Sequence, residues 1–317
     1  MTSMRGLTIA VLAGGRSLRF RMDKLTYRRR GRSILERTLD ALAPLKGRTF
    51  LFVSGTVTGE RLARESSRAV ELWPDPAFPV HPGPGVAVAS ALEAIPGEWL
   101  LVVPGDQPFL ETAALRRWLD TARSLPAALT SLWEPGRLIQ PAFQLHHLPD
   151  MRAVGRRLKG GPFPSLRMSS LLRACCQCAL LALRALTPRP DSFRSVNRPE
   201  DWRTPSRVPA RRRPEPPHWI DPGCSSLFWA GLSHYRSGES PRAYQAFFRE
   251  ATRHADSGRW LLSLHALEDA HSLGLPSPQR SLGSPGRPDD GDLPKAARRL
   301  GPEATPLGTV GAMTRRR

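Results

Sequence analysis

Lys24, Asp106 and a pair of glycines behind an apolar run are the residues of this sequence whose types and spacing could do chemistry. Residues 7–25 read LTIAVLAGGRSLRFRMDKL. The apolar run stops abruptly at Ala13, Gly14 and Gly15, the pattern of a buried strand opening into a loop where backbone can approach a ligand closely. Arg16, Ser17, Arg19, Arg21, Asp23 and Lys24 follow. Backbone N–H groups, a hydroxyl and several cations in so short a stretch suit one anionic guest, and phosphate is the natural one. The spacing is neither G-x-x-x-x-G-K-[ST] nor a G-x-G-x-x-G that opens a helix behind the strand.

Lys24 stands out on composition as well. Of 47 Lys+Arg, the lysines are Lys24, Lys46, Lys159 and Lys295, so arginine serves almost everywhere a cation is tolerated. A compact ammonium on a flexible stem can bridge phosphate oxygens that shift during reaction, whereas a guanidinium imposes its own plane. Lys24 is therefore read as a phosphate ligand rather than a surface lysine near a turn. Two carboxylates, Asp75 and Asp106, come directly after apolar runs at 70–73 and 99–103. A loop carboxylate there stays ionised at little cost and can face a metal; the plainer role for Asp106 is to cap a helix at 111–119.

These residues need a scaffold, and the chain between them alternates strand and helix. Residues 33–42 place Ile34, Leu35, Leu39 and Leu42 at helical spacing, with Ser33 and Glu36 as a capping box. Strands are expected at 49–54, 70–73 and 99–103, and helices at 59–69 and 86–95. The second half reads less regularly: strands at 128–133, 138–146 and 176–183, the second carrying Pro141 as an edge or bulge marker, and short helices at 151–158 and 165–174. This predicts an α/β fold with a mostly parallel sheet between helical layers, and a ligand at the carboxyl ends of the strands.

Domain boundaries follow composition. The α/β domain is expected over 1–203, a Pro/Arg-rich linker over 204–222, a small helical domain over 223–275 broken at Gly238 and Gly258, and a tail at 276–317 too poor in apolar residues to pack. The aromatics of the helical part are read as its core, and His265 and His271, which lack the i, i+4 spacing of a metal pair, are given no ligand role. Cys175, Cys176 and Cys178 lie in an apolar run far from Cys224, which is neither a disulfide framework nor a zinc pattern. The formal charge of +19 asks for an anionic partner, yet no nucleic-acid motif accompanies the arginine triplets, so nucleic acid is not the expected one. No run reaches transmembrane length, and a cytoplasmic location is expected.

The opening stretch resembles the signature of the molybdenum cofactor guanylyltransferase family and its nucleotidyltransferase relatives, L-A-G-G-x-S-x-R-[MF]-G-x-D-K. Leu12, Ala13, Gly14, Gly15, Ser17, Arg19, Phe20, Asp23 and Lys24 meet it, with Arg21 in place of the third glycine. VVPGDQP, ending at Pro108, resembles the family's P-[CG]-D-x-P, and Asp75 ahead of Gly83-Pro84 resembles the aspartate before G-P-x-x-G, with Ala87 at the closing glycine. Residues 195–201, SVNRPED, are similar to N-x-N-T-P-E-D, with Ser195 and Arg198 as departures; Thr56 stands at a further asparagine. The resemblance spans about the first two hundred residues.

It implies a three-layer Rossmann-like nucleotidyltransferase fold and transfer of GMP from GTP to the phosphate of molybdopterin, with pyrophosphate released. Lys24 and Asp106 would be catalytic, and Asp106 would hold Mg²⁺. Leu12, Ala13, Gly14, Gly15, Lys24, Asp75 and Asp106 would contact the nucleotide. A molybdoenzyme or another cofactor-pathway protein would be the protein partner. Two alternatives stay open: a transferase of the same fold making a CDP- or other NDP-linked small molecule, and a non-catalytic nucleotide-binding adaptor.

Overall fold

A strand that is apolar throughout must be covered on both faces, and Leu7–Leu12 (β1) is. The computed structural model describes residues 6–14, 24–53, 55–66, 68–74, 83–133, 139–202 and 215–273. After β1 come a short hairpin, β2 (Arg28–Arg29) and β3 (Arg32–Ser33), then α1 (Ile34–Leu42), β4 (Arg48–Val53), α2 (Thr56–Glu65), β5 (Glu71–Pro74), α3 (Pro84–Ala94) and β6 (Trp99–Pro104). The chain continues through α4 (Thr112–Arg123), β7 (Leu129–Trp133), β8 (Gln140–His147), α5 (Leu148–Lys159), α6 (Met168–Ala174), β9 (Cys178–Ala182) and α7 (Leu183–Leu186). A two-residue strand, β10 (His218–Trp219), precedes α8 (Pro222–Arg236), α9 (Ser240–Asp256) and α10 (Trp260–His271).

The sheet runs β10-β9-β7-β8-β6-β1-β4-β5. β6, β1, β4 and β5 are mutually parallel, and β7 is parallel to β9; β8 and β10 run antiparallel to their neighbours. The expected mostly parallel sheet with helices on both faces is what forms. Alternate residues of each strand feed two cores: Ala10, Phe50 and Val102 meet α3, α5 and α6 on one side, while Ile9, Leu51 and Leu101 meet α1 and α4 on the other. Because the chain steps from β1 to β4 and β5 on one side and returns to β6 on the other, the strand order reverses between β1 and β6. That is where such sheets leave a crevice at their carboxyl ends.

Local chemistry sets several boundaries. The Ser33–Glu36 capping box forms in both directions, with bonds of 3.1 and 2.6 Å, so α1 starts where the sequence places it. α2 begins earlier than expected. Gly59, expected as its first residue, lies inside it, where a side chain would press within 2.8 Å of Val53. Near Pro141 the register of β7 against β8 shifts, and the Ser131 hydroxyl bridges the irregularity to the carbonyls of Gln140 and Phe143.

Part of the expected linker is a strand: His218 and Trp219 pair with Leu180 and Ala179 at the sheet edge, which its prolines conceal; 203–214 lies outside the described residues. Gly238 and Gly258 end α8 and α9 with φ of 74° and 70°, the left-handed conformation that glycine adopts most readily. The three helices share one core with α6, through Phe228, Leu232, Phe247 and Leu262. They belong to the same compact unit, Met1–Leu275, as the sheet. Their deepest link is ionic. Arg173 of α6, fully buried, forks onto both oxygens of Glu250 at 2.7 and 2.9 Å and reaches Asp269 at 2.6 Å. Burial works against its charge, but the two carboxylates outweigh that and raise its pKa. Ser165 caps the other Asp269 oxygen at 2.7 Å. The tail at 276–317 lies outside the described residues.

Cys175, Cys178 and Cys224 are buried core residues and Cys176 is exposed; burial pushes the Cys175 thiol up to about 12. Among the described residues no helix is long and apolar enough to cross a membrane.

Replacing Arg173 by methionine should destabilise the chain by about 3–5 kcal/mol, since Glu250 and Asp269 would keep buried charges with no counterion; urea denaturation measures it. His146 sits fully buried on β8 with neither ring nitrogen bonded, and burial lowers its pKa to about 3. The unfolded imidazole titrates near 6.5, so the neutral ring's contribution is complete above that pH. It is lost on acidification toward the folded value, at up to about 1.4 kcal/mol per pH unit. His146→Leu should therefore flatten the fall in stability between pH 6.5 and 4 relative to the parent chain.

Candidate active site

β1 and β6 end side by side. Leu12 pairs with Pro104, and just beyond them the Gly105 N–H donates to the Leu12 carbonyl at 2.9 Å. A side chain at 105 would sit 3.0 Å from that oxygen, so glycine is what lets the two strand ends close up. Gly14 and Asp106 each lie two residues past this pairing and leave the sheet at the same edge. Ala13 is fixed by its own N–H, which donates to the Phe52 carbonyl at 2.8 Å.

Lys24 arrives from a short 3₁₀ turn, Lys24–Thr26, and among the described residues its ammonium meets two side-chain oxygens. One is Asp106 Oδ2 at 2.5 Å, the other Asn197 Oδ1 at 3.0 Å. The Lys24 and Asp106 side chains keep 22% and 14% of their exposure, so the pair is half-shielded and still open to a ligand. Three segments separated by most of the chain thus converge at one cation.

Each partner is held from behind. The buried Gln107 side chain donates through Nε2 to Asp106 Oδ1 at 3.3 Å and to the Ser195 hydroxyl at 2.9 Å. The Asp106 carbonyl accepts from Val196 N–H at 3.1 Å, which fastens the loop after β6 to the 195–201 segment. Thr38 of α1, wholly buried, donates to the Gly105 carbonyl at 3.0 Å and accepts from Gln107 N–H at 3.2 Å. Asp201 accepts from the N–H groups of Asn197 and Arg198 at 2.9 and 2.8 Å, so Asn197 is presented from a closed turn. The capping role considered for Asp106 is not the one it plays: α4 starts at Thr112 with Glu111 before it.

Of the residues read from the sequence, Leu12, Ala13, Gly14, Lys24 and Asp106 come to this edge. Gly15 and Asp75 lie outside the described residues. Asn197, Gln107 and Thr38 were not singled out as site residues. Asn197 had a signal, its place in the SVNRPED stretch; Gln107 and Thr38 had none, because a buried hydroxyl on a helix and an amide beside a loop carboxylate look ordinary in sequence. α3 also begins at this edge, with Gly85 packed so tightly on the backbone of 166–167 that a side chain would come within 2.4 Å of Arg167.

The arrangement can bind and neutralise polyanions. A single ammonium is shared by a carboxylate and an amide carbonyl, oxygen donors of the kind a hard divalent cation takes alongside substrate phosphates. Magnesium commonly uses one or two carboxylates and leaves its other positions to phosphate and water, so Asp106 with Asn197 fits that ion. Among the described residues, no group of three or more His, Cys, Asp or Glu side chains converges to form a closed metal cage.

Residues 9–168 match the family of MobA-like NTP transferase domains. The chain is 29% identical over 154 residues to the bifunctional protein GlmU of Trichormus variabilis, covering 47% of this chain and 31% of that protein. It therefore spans about a third of the length of that relative. It is 27% identical over 194 residues to a probable molybdenum cofactor guanylyltransferase of Halalkalibacterium halodurans, covering 60% of this chain and 93% of that one. Among solved structures it is similar to molybdopterin-guanine dinucleotide biosynthesis protein A from Archaeoglobus fulgidus, with a TM-score of 0.49, 18% identity and coverage of 61% and 94%.

Thr38→Val keeps the shape of the side chain but leaves the Gln107 N–H with no acceptor. It should cost about 1–3 kcal/mol, read as a lower urea midpoint with an unchanged slope.

Proposed function

This chain belongs to the family of MobA-like NTP transferase domains, and on that premise we propose that it is a Mg²⁺-dependent nucleotidyltransferase acting on GTP and molybdopterin. The observation that carries the reading is the meeting of Lys24, Asp106 and Asn197 at the reversal point of the sheet. A triphosphate laid over the β1 loop would have Leu12, Ala13 and Gly14 along its path and Lys24 within reach of its oxygens. Gly15 and Asp75 belong to the same proposal by resemblance.

In the reaction, an oxygen of the acceptor's terminal phosphate attacks the α-phosphorus of GTP. The bond to the oxygen bridging the α- and β-phosphates breaks, GMP is joined to the acceptor, and pyrophosphate leaves with the bonding electron pair. No covalent intermediate on the protein is required. The chain's work is to hold nucleophile and leaving group in line and to oppose the charge that builds on the leaving phosphates. Lys24 does the second: once phosphates enter, its ammonium passes from Asp106 to them, a step its flexible stem permits. Asp106 and Asn197, freed of it, would hold Mg²⁺, which supplies charge neutralisation on the phosphates when bound. Gln107 and Asp201 keep those two oxygens in place throughout.

A second reading is favoured by the GlmU match, since that protein carries a different name and this chain's similarity to it is of the same order. In that reading the chain makes another NDP-linked small molecule with the same residues. A cytoplasmic location and delivery of the acceptor by a cofactor-pathway protein are part of the main proposal.

The experiment is incubation with molybdopterin, Mg²⁺ and each NTP in turn, following pyrophosphate and the mass of the product. GTP should yield the guanine dinucleotide, and Lys24→Met and Asp106→Asn should each lower kcat/KM by about 10²–10³. Unimpaired turnover in Asp106→Asn removes its assignment as metal ligand. A product formed with CTP instead moves the chain to the second reading.

A further inference from the structure

The hairpin of β2 and β3 lies outside the proposed chemistry, and four of its residues 28–32 are arginines. Arg28, Arg29, Arg30 and Arg32 are all exposed on it, and Arg37 and Arg68 stand beside it. Among the described residues, the carboxylates that face these six guanidiniums are Glu36 and Asp40. Glu36 is 3.3 Å from Arg28 and also serves the α1 cap; Asp40 is divided between Arg32 at 2.5 Å and Arg68 at 2.9 Å. Among the described residues Arg29 and Arg37 have no carboxylate at ion-pairing distance, although Asp40 lies near enough to favour the Arg37 charge. They donate to main-chain carbonyls, of Trp202 at 3.0 Å and of Arg29 at 2.7 Å, and Arg37 Nε is buried without a partner. Burial, then Arg32 and Arg30, push the Arg37 guanidinium below its usual range. Like charges are thus held together at a cost that an arriving anion would relieve.

The patch is built rather than merely exposed. Both Arg29 and Arg37 lie over the Trp202 indole, at 5.6 and 5.4 Å, with Tyr27 and Phe109 packed against the same ring. Arg30 and Gly31 turn the hairpin at φ of 52° and 77°, and the Arg28 guanidinium closes it on the Gly31 carbonyl at 2.8 Å. Both sides of this platform are tied to the candidate site. Tyr27 N–H donates to the Lys24 carbonyl at 3.2 Å, and Trp202 follows the turn that presents Asn197.

We propose that this arginine hairpin is a docking surface for an acidic segment of a partner protein. Charge and shape select that occupant. Guanidiniums pair with carboxylates through charge-assisted hydrogen bonds, and Glu36 and Asp40 already neutralise part of the array, each arginine meeting a single carboxylate oxygen. A second copy of this chain, with its net charge of +19, is a poor counterpart. A single nucleic-acid strand would want a free aromatic face for its bases, and the indole here is already covered by two guanidiniums.

The test uses the full chain and a fluorescent ten-residue polyglutamate peptide, with a ten-nucleotide single strand and a polyglutamine peptide as comparators, by anisotropy at physiological salt. Changing Arg28, Arg30 and Arg32 together to glutamine should weaken polyglutamate binding about tenfold. An equal charge removal at Arg242, Arg249 and Arg253 on α9 should change it less than about twofold. Arg30→Glu alone is the second variant, expected to weaken binding without disturbing the Arg28 and Arg32 ion pairs, and thermal melts confirm folding of each. Equal losses in both triple variants, or a strand that binds the hairpin more tightly than the peptide, overturns the proposal. Nucleotide binding measured on the same samples should be unchanged by the hairpin substitutions, so failure of the transferase reading and failure of this one are told apart.

Discussion

Everything at the carboxyl edge depends on how closely β1 and β6 can run together. Their parallel ladder ends with Leu12 opposite Pro104, and the absence of a side chain at Gly105 lets the next peptide bond to the Leu12 carbonyl. The glycine turn and the acidic loop then leave the sheet as neighbours rather than as two unrelated ends. An ammonium carried in from a third segment can reach only what that closeness brings within its length. The reversal of strand order falls at the same place, between β1 and β6, where such sheets leave a crevice.

Much of this was written plainly in the residues. The apolar runs over β1, β4 and β6, the capping box of α1, and the glycines that end α8 and α9 each have one local physical cause, and each formed where that cause put it. Lys24 and Asp106 were legible because residue type and placement spoke together: a rare lysine after glycines, a carboxylate after a buried strand. What stayed hidden depends on long-range contact. Thr38 orders the loop after β6 only because α1 packs beneath it, and Gln107 matters only because Ser195 arrives from far along the chain. β10 was concealed for a different reason, since two paired residues among prolines have no periodicity to read. The start of α2, at Thr56 rather than Gly59, was hidden because a glycine that serves close packing inside a helix looks the same in sequence as one at its start.

The division of labour between layers also separates stability from chemistry. The face with α1 supplies the hydroxyl that braces Asp106, while the opposite face, with α3, α5 and α6, carries the load of the terminal helices. Ser165 and Arg173 flank the stretch whose backbone abuts Gly85 at the start of α3, and both are held by Asp269 of α10. The helices that composition set apart as an appendage are in this way continuous with the wall of the crevice.

The buried guanidinium of α6 also bears on how such a chain can change over generations. A descendant that lost its last three helices would be left with a bare cation on an otherwise oily flank, and one that gained them without position 173 would bring two acids to a place unable to receive them. The three helices and the identity of one residue 77 and 96 positions ahead of its two acids are therefore expected to change together.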